Sequence, residues 1–89
     1  MIQQNYPNPF NPVTNILYNL LEDGFVNITV FDILGNVINQ LVNEVQNSGY
    51  KSIQWNATTS QGQPVSTGVY LYSIEVGDYR QTKKMILLK

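Results

Sequence analysis

From Val13 onward the chain alternates apolar and polar side chains with a period of two, and clusters of glycine, asparagine, aspartate and proline interrupt the alternation at regular intervals. That period puts successive residues on opposite faces of an extended strand, so the pattern asks for β-strands with one dry and one wet face. Thr14, Ile16, Tyr18 and Leu20 share one face, Asn15, Leu17 and Asn19 share the other, and Glu22-Asp23-Gly24 turns the chain. Phe25 to Phe31 sets Val26, Ile28 and Val30 against Asn27 and Thr29. Asp32-Ile33-Leu34-Gly35-Asn36 reads as a hairpin connection in which Gly35 or Asn36 takes a positive φ, and Val37 to Val42 pairs back. Val37, Ile38, Leu41, Val42 and Val45 also fit helical spacing. A short helix isolated among hairpins, with β-branched residues at both ends, is the poorer choice, and the segment is assigned as strand. Asn43 to Ser48 reads as polar loop, Gly49 to Trp55 as strand, and Asn56 to Thr67 as a long loop of small polar residues. Gly68 to Val76, the Gly77-Asp78 turn and Tyr79 to Leu88 form a final hairpin.

Six or seven such strands without an internal repeat predict an all-β fold, a small antiparallel β-sandwich of immunoglobulin-like size, over residues 13–89. A chain of 89 residues hides only about 60–65% of its extended-chain surface on folding, so one core is the ceiling. The sequence has no cysteine, so packing alone holds that core and Trp55 or the tyrosines supply its bulk. Residues 1–12 stand apart because they hold three of the four prolines, Pro7, Pro9 and Pro12. With Asn8, Phe10 and Asn11 they read as a stiff, polyproline-like linker that docks Tyr6 and Phe10 on the sandwich.

The absence of histidine and cysteine removes imidazole bases, thiolate nucleophiles and Cys/His zinc sites. The six acids, Glu22, Asp23, Asp32, Glu44, Glu75 and Asp78, fall at turns, loops or strand ends, where solvated charges belong, and no Ser-x-x-Lys pair is present. No catalytic residue, cofactor or metal ligand is therefore assigned. Asp32 with Asn36 offers oxygens to calcium, but an Asx-turn bracing the hairpin explains it better, and the loop Asn56 to Gln61 lacks a carboxylate. The longest apolar runs, Val69 to Tyr72 and Met85 to Leu88, are four residues, far below the ~20 of a membrane helix. Neither a transmembrane segment nor a signal-peptide core is legible. The net charge of −1 gives no field to steer nucleic acid. Tyr50, Trp55, Tyr70, Tyr72 and Tyr79 suit an aromatic platform for sugar, although such residues at period two more often fill a core.

Charge is concentrated at the C-terminus, where Arg80, Lys83, Lys84 and Lys89 are four of the five basic residues and no acid accompanies them. Lys83, Met85 and Leu87 share one face of the final strand, and Thr82, Lys84, Ile86 and Leu88 the other, so its end is apolar on both sides. Two readings fit equally: a strand covered on both faces or awaiting a partner, and an edge strand whose lysines block sheet-to-sheet aggregation.

Tyr6-Pro-Asn-Pro-Phe-Asn-Pro12, the Asp32-Ile-Leu-Gly35 turn, Gly49 through Trp55, Gly68-Val-Tyr70 and Lys83-Lys-Met-Ile-Leu-Leu-Lys89 together resemble the C-terminal sorting domain of proteins exported by the type IX secretion system of Bacteroidetes-type bacteria. The wider fold group is similar to the immunoglobulin-like domain of the flagellar hook-capping protein. Asn56-Ala57 departs from the pattern, which leads one to expect Asp-Gly after the tryptophan. The resemblance implies a non-enzymatic address label that crosses the inner membrane on a precursor with its own N-terminal signal and folds in the periplasm. It implies recognition by the outer-membrane secretion machinery and by a sortase-like protease, and delivery of a cargo domain fused upstream to the cell surface or medium. Recognition then maps to Gly68, Tyr70, Lys83, Lys84, Met85, Ile86, Leu87, Leu88 and Lys89, while Pro7 to Pro12 form the junction with cargo. The chain accordingly reads as a domain excised from a larger precursor. The alternatives are an extracellular accessory sandwich that binds polysaccharide and a structural subunit that assembles through its last strand.

Overall fold

The computed structural model describes residues 1–88. Each alternating stretch forms a strand: β1 (Thr14–Leu20), β2 (Gly24–Asp32), β3 (Val37–Gln46), β4 (Gly49–Trp55), β5 (Gly68–Val76) and β6 (Tyr79–Leu87). All pairings are antiparallel. β1 and β4 make a two-stranded sheet, and β3, β2, β5 and β6, in that order, make a four-stranded one. The expected immunoglobulin-like sandwich is therefore present, with six strands. β3 runs past Val42, because Asn43 pairs with Asn27 and Val45 with Phe25. The polar stretch expected to be loop is strand as far as Gln46, since it continues a ladder already in register.

The lead-in laces the two sheets together. Its first half lies along the free edge of β1, where Gln3 N–H donates to Leu17 C=O (2.9 Å) and Tyr6 exchanges both backbone bonds with Asn15 (2.9 Å each). Proline has no N–H to continue a ladder, and the chain bends from Pro7 to Pro9. The three X–Pro bonds of the lead-in are cis. The segment then reaches β6, where Phe10 forms a parallel bridge with Leu87. The expected straight polyproline run is thus replaced by two short ladders joined at a bend. Phe10 docks in the core as expected, whereas Tyr6 does not and stays 65% exposed.

The core is continuous between the sheets: Ile16, Tyr18 and Leu20 from β1 face Val26, Ile28 and Val30 from β2 and Tyr70, Tyr72 and Ile74 from β5. Buried tyrosines need partners for their hydroxyls. Tyr18 donates to Gln46 Oε1 (2.7 Å), and Tyr72 reaches across the sandwich, donating to Gln3 C=O (2.8 Å) and accepting from Asn5 N–H (2.8 Å). The buried Asn5 amide in turn donates to Thr14 Oγ1 (2.9 Å) and Pro7 C=O (3.1 Å).

Burial pushes the Tyr72 phenol up to about 12 against an ordinary 10.0, outweighing the Asn5 amide that favours its anion. Burial likewise raises Tyr18. The unfolded chain ionises first, so Tyr72's contribution to stability is whole below about pH 10 and is lost as pH rises towards 12. Urea midpoints measured from pH 8 to 12 should fall over that window, and more gently for Tyr72→Phe. Parallel curves for the two proteins would refute the assignment. At neutral pH Tyr72→Phe should cost about 1–3 kcal/mol, because Gln3 C=O and Asn5 N–H lose their partner.

Candidate functional site

Antiparallel strands bring alternate connections to one end, and here that end gathers the stretches most distinctive in sequence. The β2–β3 turn, the Asn56–Thr67 loop, the start of β5 and the end of β6 all lie there. The lead-in crosses to β6 at the same end through Phe10 and Leu87. Ser60 N–H donates to Ile38 C=O (3.2 Å) and Asn39 Nδ2 to Thr58 C=O (2.9 Å), tying the long loop to β3. A shallow cleft of about 200 Å³ opens between Asp32, Ile33 and the stretch Ser66 to Tyr70.

The Asp32 carboxylate is the brace of its turn. Oδ1 accepts from Leu34 N–H and Asn36 N–H (both 2.9 Å) and Oδ2 from Asn36 Nδ2 (3.0 Å), while Gly35 takes φ 91°. These donors, the Asn36 side chain foremost, hold its carboxyl below the usual value. Asn36 offers Asp32 its NH₂ rather than its oxygen, an arrangement for a turn and not for a cation.

Trp55 closes the same end from inside. Its ring lies 5.9 Å from Phe10 and 5.5 Å, edge-on, from Tyr70, and its Nε1 donates to Thr58 C=O (2.9 Å). That last bond needs an abrupt reversal after the strand, which Ala57 supplies with φ 60°. An L-residue with a side chain is about 1–2 kcal/mol worse than glycine in this region. Ala57 is fully packed, and its methyl recovers about 0.8 kcal/mol, so alanine is tolerated where glycine was expected. Ala57→Val, which crowds this backbone with a branched side chain, should lower stability by about 1–3 kcal/mol, measured as a drop in the melting midpoint; an unchanged midpoint would contradict it. Tyr70 OH donates to Ser66 C=O (2.6 Å), pinning the other end of the loop.

A family model described as the secretion system C-terminal sorting domain matches residues 4–88. The chain belongs to that family. The family is one of sorting signals, a non-catalytic class, and membership implies export and contact with secretion machinery. Solved structures show the same fold. PorZ, an essential bacterial surface component of the type IX secretion system of Porphyromonas gingivalis, aligns with TM-score 0.70 at 21% identity, over 97% of this chain and 11% of that one. Dimeric latent PorU from P. gingivalis gives 0.75 at 21%, over 96% and 9%. FlgD from P. aeruginosa gives 0.65 at 23%, over 83% and 58%. The sorting domain thus spans about a tenth of the two P. gingivalis chains. No curated sequence matches it, and among the described residues no helix is long and apolar enough to cross a membrane.

Within the sorting domain the residues expected to carry recognition come together but do not share a surface. Gly68 pairs with Leu87 and Tyr70 with Met85. Tyr70, Met85 and Leu87 point into the core, Gly68, Lys83 and Ile86 are half-buried, and Lys84 and Leu88 are exposed. Lys89 lies outside the described residues. Of the aromatic residues weighed as a platform, Trp55, Tyr70 and Tyr72 instead fill the core, as period-two spacing favours, while Tyr50 lies on β4 in one sheet and Tyr79 begins β6 in the other. Of the two readings of the last strand, the edge strand is the one found, since β6 ends the four-stranded sheet. Its outer edge is neither open nor awaiting a strand near its end, because Gln4 Nε2 donates to Lys84 C=O (2.8 Å) and Ile86 N–H to Asn8 Oδ1 (3.0 Å). Phe10 N–H donates to Ile86 C=O (3.0 Å) and Leu88 N–H to Phe10 C=O (2.8 Å). Sequence reasoning passed over Phe31, Val69 and Leu71, which lie on the solvent face of the central strands. The signal available was their bulk at positions where alternation calls for polar side chains.

Proposed function

We propose that the domain is a non-catalytic C-terminal secretion signal that directs attached cargo through the type IX outer-membrane translocon to the cell surface or medium, where a sortase-like protease acts on it. The match over residues 4–88 carries this reading, because it takes in the lead-in, the Asp32–Gly35 turn and the last strand as one unit. In this reading the junction with cargo lies ahead of Ile2. Ile2 and Phe10 are buried and the intervening backbone is bonded to β1 and β6, so a protease meets no loose chain there.

The test is a periplasm-directed reporter with residues 1–89 fused to its C-terminus, expressed in a bacterium with this export route. Reporter with the domain should reach the medium or surface, and reporter without it should stay in the periplasm. Equal distribution of the two sinks the proposal. Deleting Lys83 to Lys89 is a weaker test, since it removes Met85 and Leu87 from the core and confounds folding with recognition.

A further inference from the structure

The two ends of the sandwich are finished differently. Trp55, Phe10, Tyr70 and the long loop after β4 close the end with the β2–β3 turn. At the other end the β1–β2, β3–β4 and β5–β6 connections have only two or three residues each and cannot cover the core. A cleft of about 490 Å³ opens there between the β1–β2 and β5–β6 turns, with Met1, Leu20, Leu21, Phe25 and Val76 in its wall. Its size and apolar lining are those of a binding pocket. Glu22 and Asp23 also line it, and no Lys or Arg does.

The course of the lead-in decides what enters the cleft. Ile2 and Tyr18 form an antiparallel bridge, and Asn19 N–H donates to Met1 C=O (2.8 Å), so each step back along the lead-in is one step forward along β1. On that register a residue directly ahead of Met1 falls opposite Leu20, and the one before it opposite Leu21, both in the cleft wall. Period two gives the first of these the face of Ile2 and Leu20, whose side chains are buried. Met1 leans on the core, and the cleft stays open with Met1 in place. We infer that the cleft is the seat of the residue joining cargo to this domain, an apolar side chain on a segment that continues the ladder along β1. The inference rests on the reading that cargo precedes the domain, which is what brings chain to Met1. A fatty acid fits less well, because its carboxylate would lie beside Glu22 and Asp23 with no base in the wall, and an acidic residue is kept from the seat for the same reason. A seated joint is part of the fold, ordered and sheltered from proteases, where a free linker would be cut.

The test is a reporter joined to Met1 of residues 1–89 through Gly-Ser-X, where X is leucine, serine or aspartate. With leucine the domain should melt about 4–8 °C above the serine fusion, and a broad-specificity protease should cut the joint at least about tenfold more slowly. Aspartate should melt no higher than serine. Leu21 is 79% exposed in the cleft wall, so Leu21→Ser should leave the serine fusion unchanged and remove at least about half of the gain from leucine. Equal midpoints for leucine and serine overturn the seat, and so does a gain that Leu21→Ser leaves whole. A gain that grows with protein concentration and comes with dimers in sedimentation gives the cleft to a second copy. A serine fusion raised as far by decanoate gives it to a lipid, and either result overturns the inference. These readouts need no export, so the two readings fail separately. A fusion exported without the leucine gain keeps the sorting role and loses the seat, whereas a gain in a fusion that is not exported keeps the seat and loses the sorting role.

Discussion

Trp55→Ala is expected to lower the stability of this domain by about 3–5 kcal/mol. The indole fills the turn-rich end of the core, touching Phe10 from the lead-in and Tyr70 from β5, and it holds the long loop through Thr58 C=O. Three segments distant in sequence therefore lose a common partner, and the cavity cannot close by moving one of them alone. Domains of this size have a total stability of about 5–10 kcal/mol, and with no cysteine in the chain no crosslink limits the damage. The substitution should remove roughly half of that total, read as a large fall in the urea midpoint. Trp55→Phe keeps a ring but orphans Thr58 C=O and should cost less, about 1–3 kcal/mol. A Trp55→Ala protein with a native midpoint would show that the two sheets and the lead-in are held elsewhere.

Most of the fold follows from period-two patterning, and the exceptions have physical causes. Alternation along β1 and β2 places Ile16, Tyr18, Val26, Ile28 and Val30 inside, as observed. Asn43 to Gln46 looks like loop because it is polar, yet ladder bonds to β2 cost nothing in side-chain polarity when both faces are wet. The lead-in is harder. Its prolines correctly announce that no long ladder can form, but docking onto β6 joins residues 8 and 10 to residues 86 and 88, a separation no local pattern encodes. The basic C-terminus stands out in sequence, and its two faces divide as alternation requires. Which face is buried depends on register with β5, and that register puts Met85 and Leu87 inside beside Tyr70. Period-two spacing favours a core over a platform for the five aromatic residues, but it cannot say that Trp55, Tyr70 and Tyr72 are the ones inside. Phe31, Val69 and Leu71 look like ordinary strand residues until the sheet order makes them neighbours.

A chain beginning at Val13 should fail to fold into the same monomer. Losing residues 1–12 uncovers the sites that Ile2 and Phe10 fill, worth about 1.5–3 kcal/mol each by burial. It strips Tyr72 of both hydroxyl partners and Thr14 of the Asn5 amide, with desolvation costs of about 1–3 kcal/mol for each buried group left unsatisfied. Together these approach or exceed the roughly 5–10 kcal/mol that such a domain has to lose. The truncation also frees the backbone of Lys84, Ile86 and Leu88 on the edge of β6, and an uncovered edge ending in apolar residues invites pairing with another chain. Circular dichroism with analytical sedimentation should therefore find the truncated chain unfolded or self-associated, while the full chain stays monomeric and melts cooperatively. A folded monomer melting within a few degrees of the full chain would return residues 1–12 to the role of a linker. Phe10→Ala alone, at about 3–5 kcal/mol, should produce much of the defect, because it removes the anchor of the segment and opens a cavity beside Trp55. A reporter joined ahead of Met1 leaves the lacing intact, whereas one joined directly to Val13 must replace it, so only the first fusion should yield a domain folded well enough to be exported.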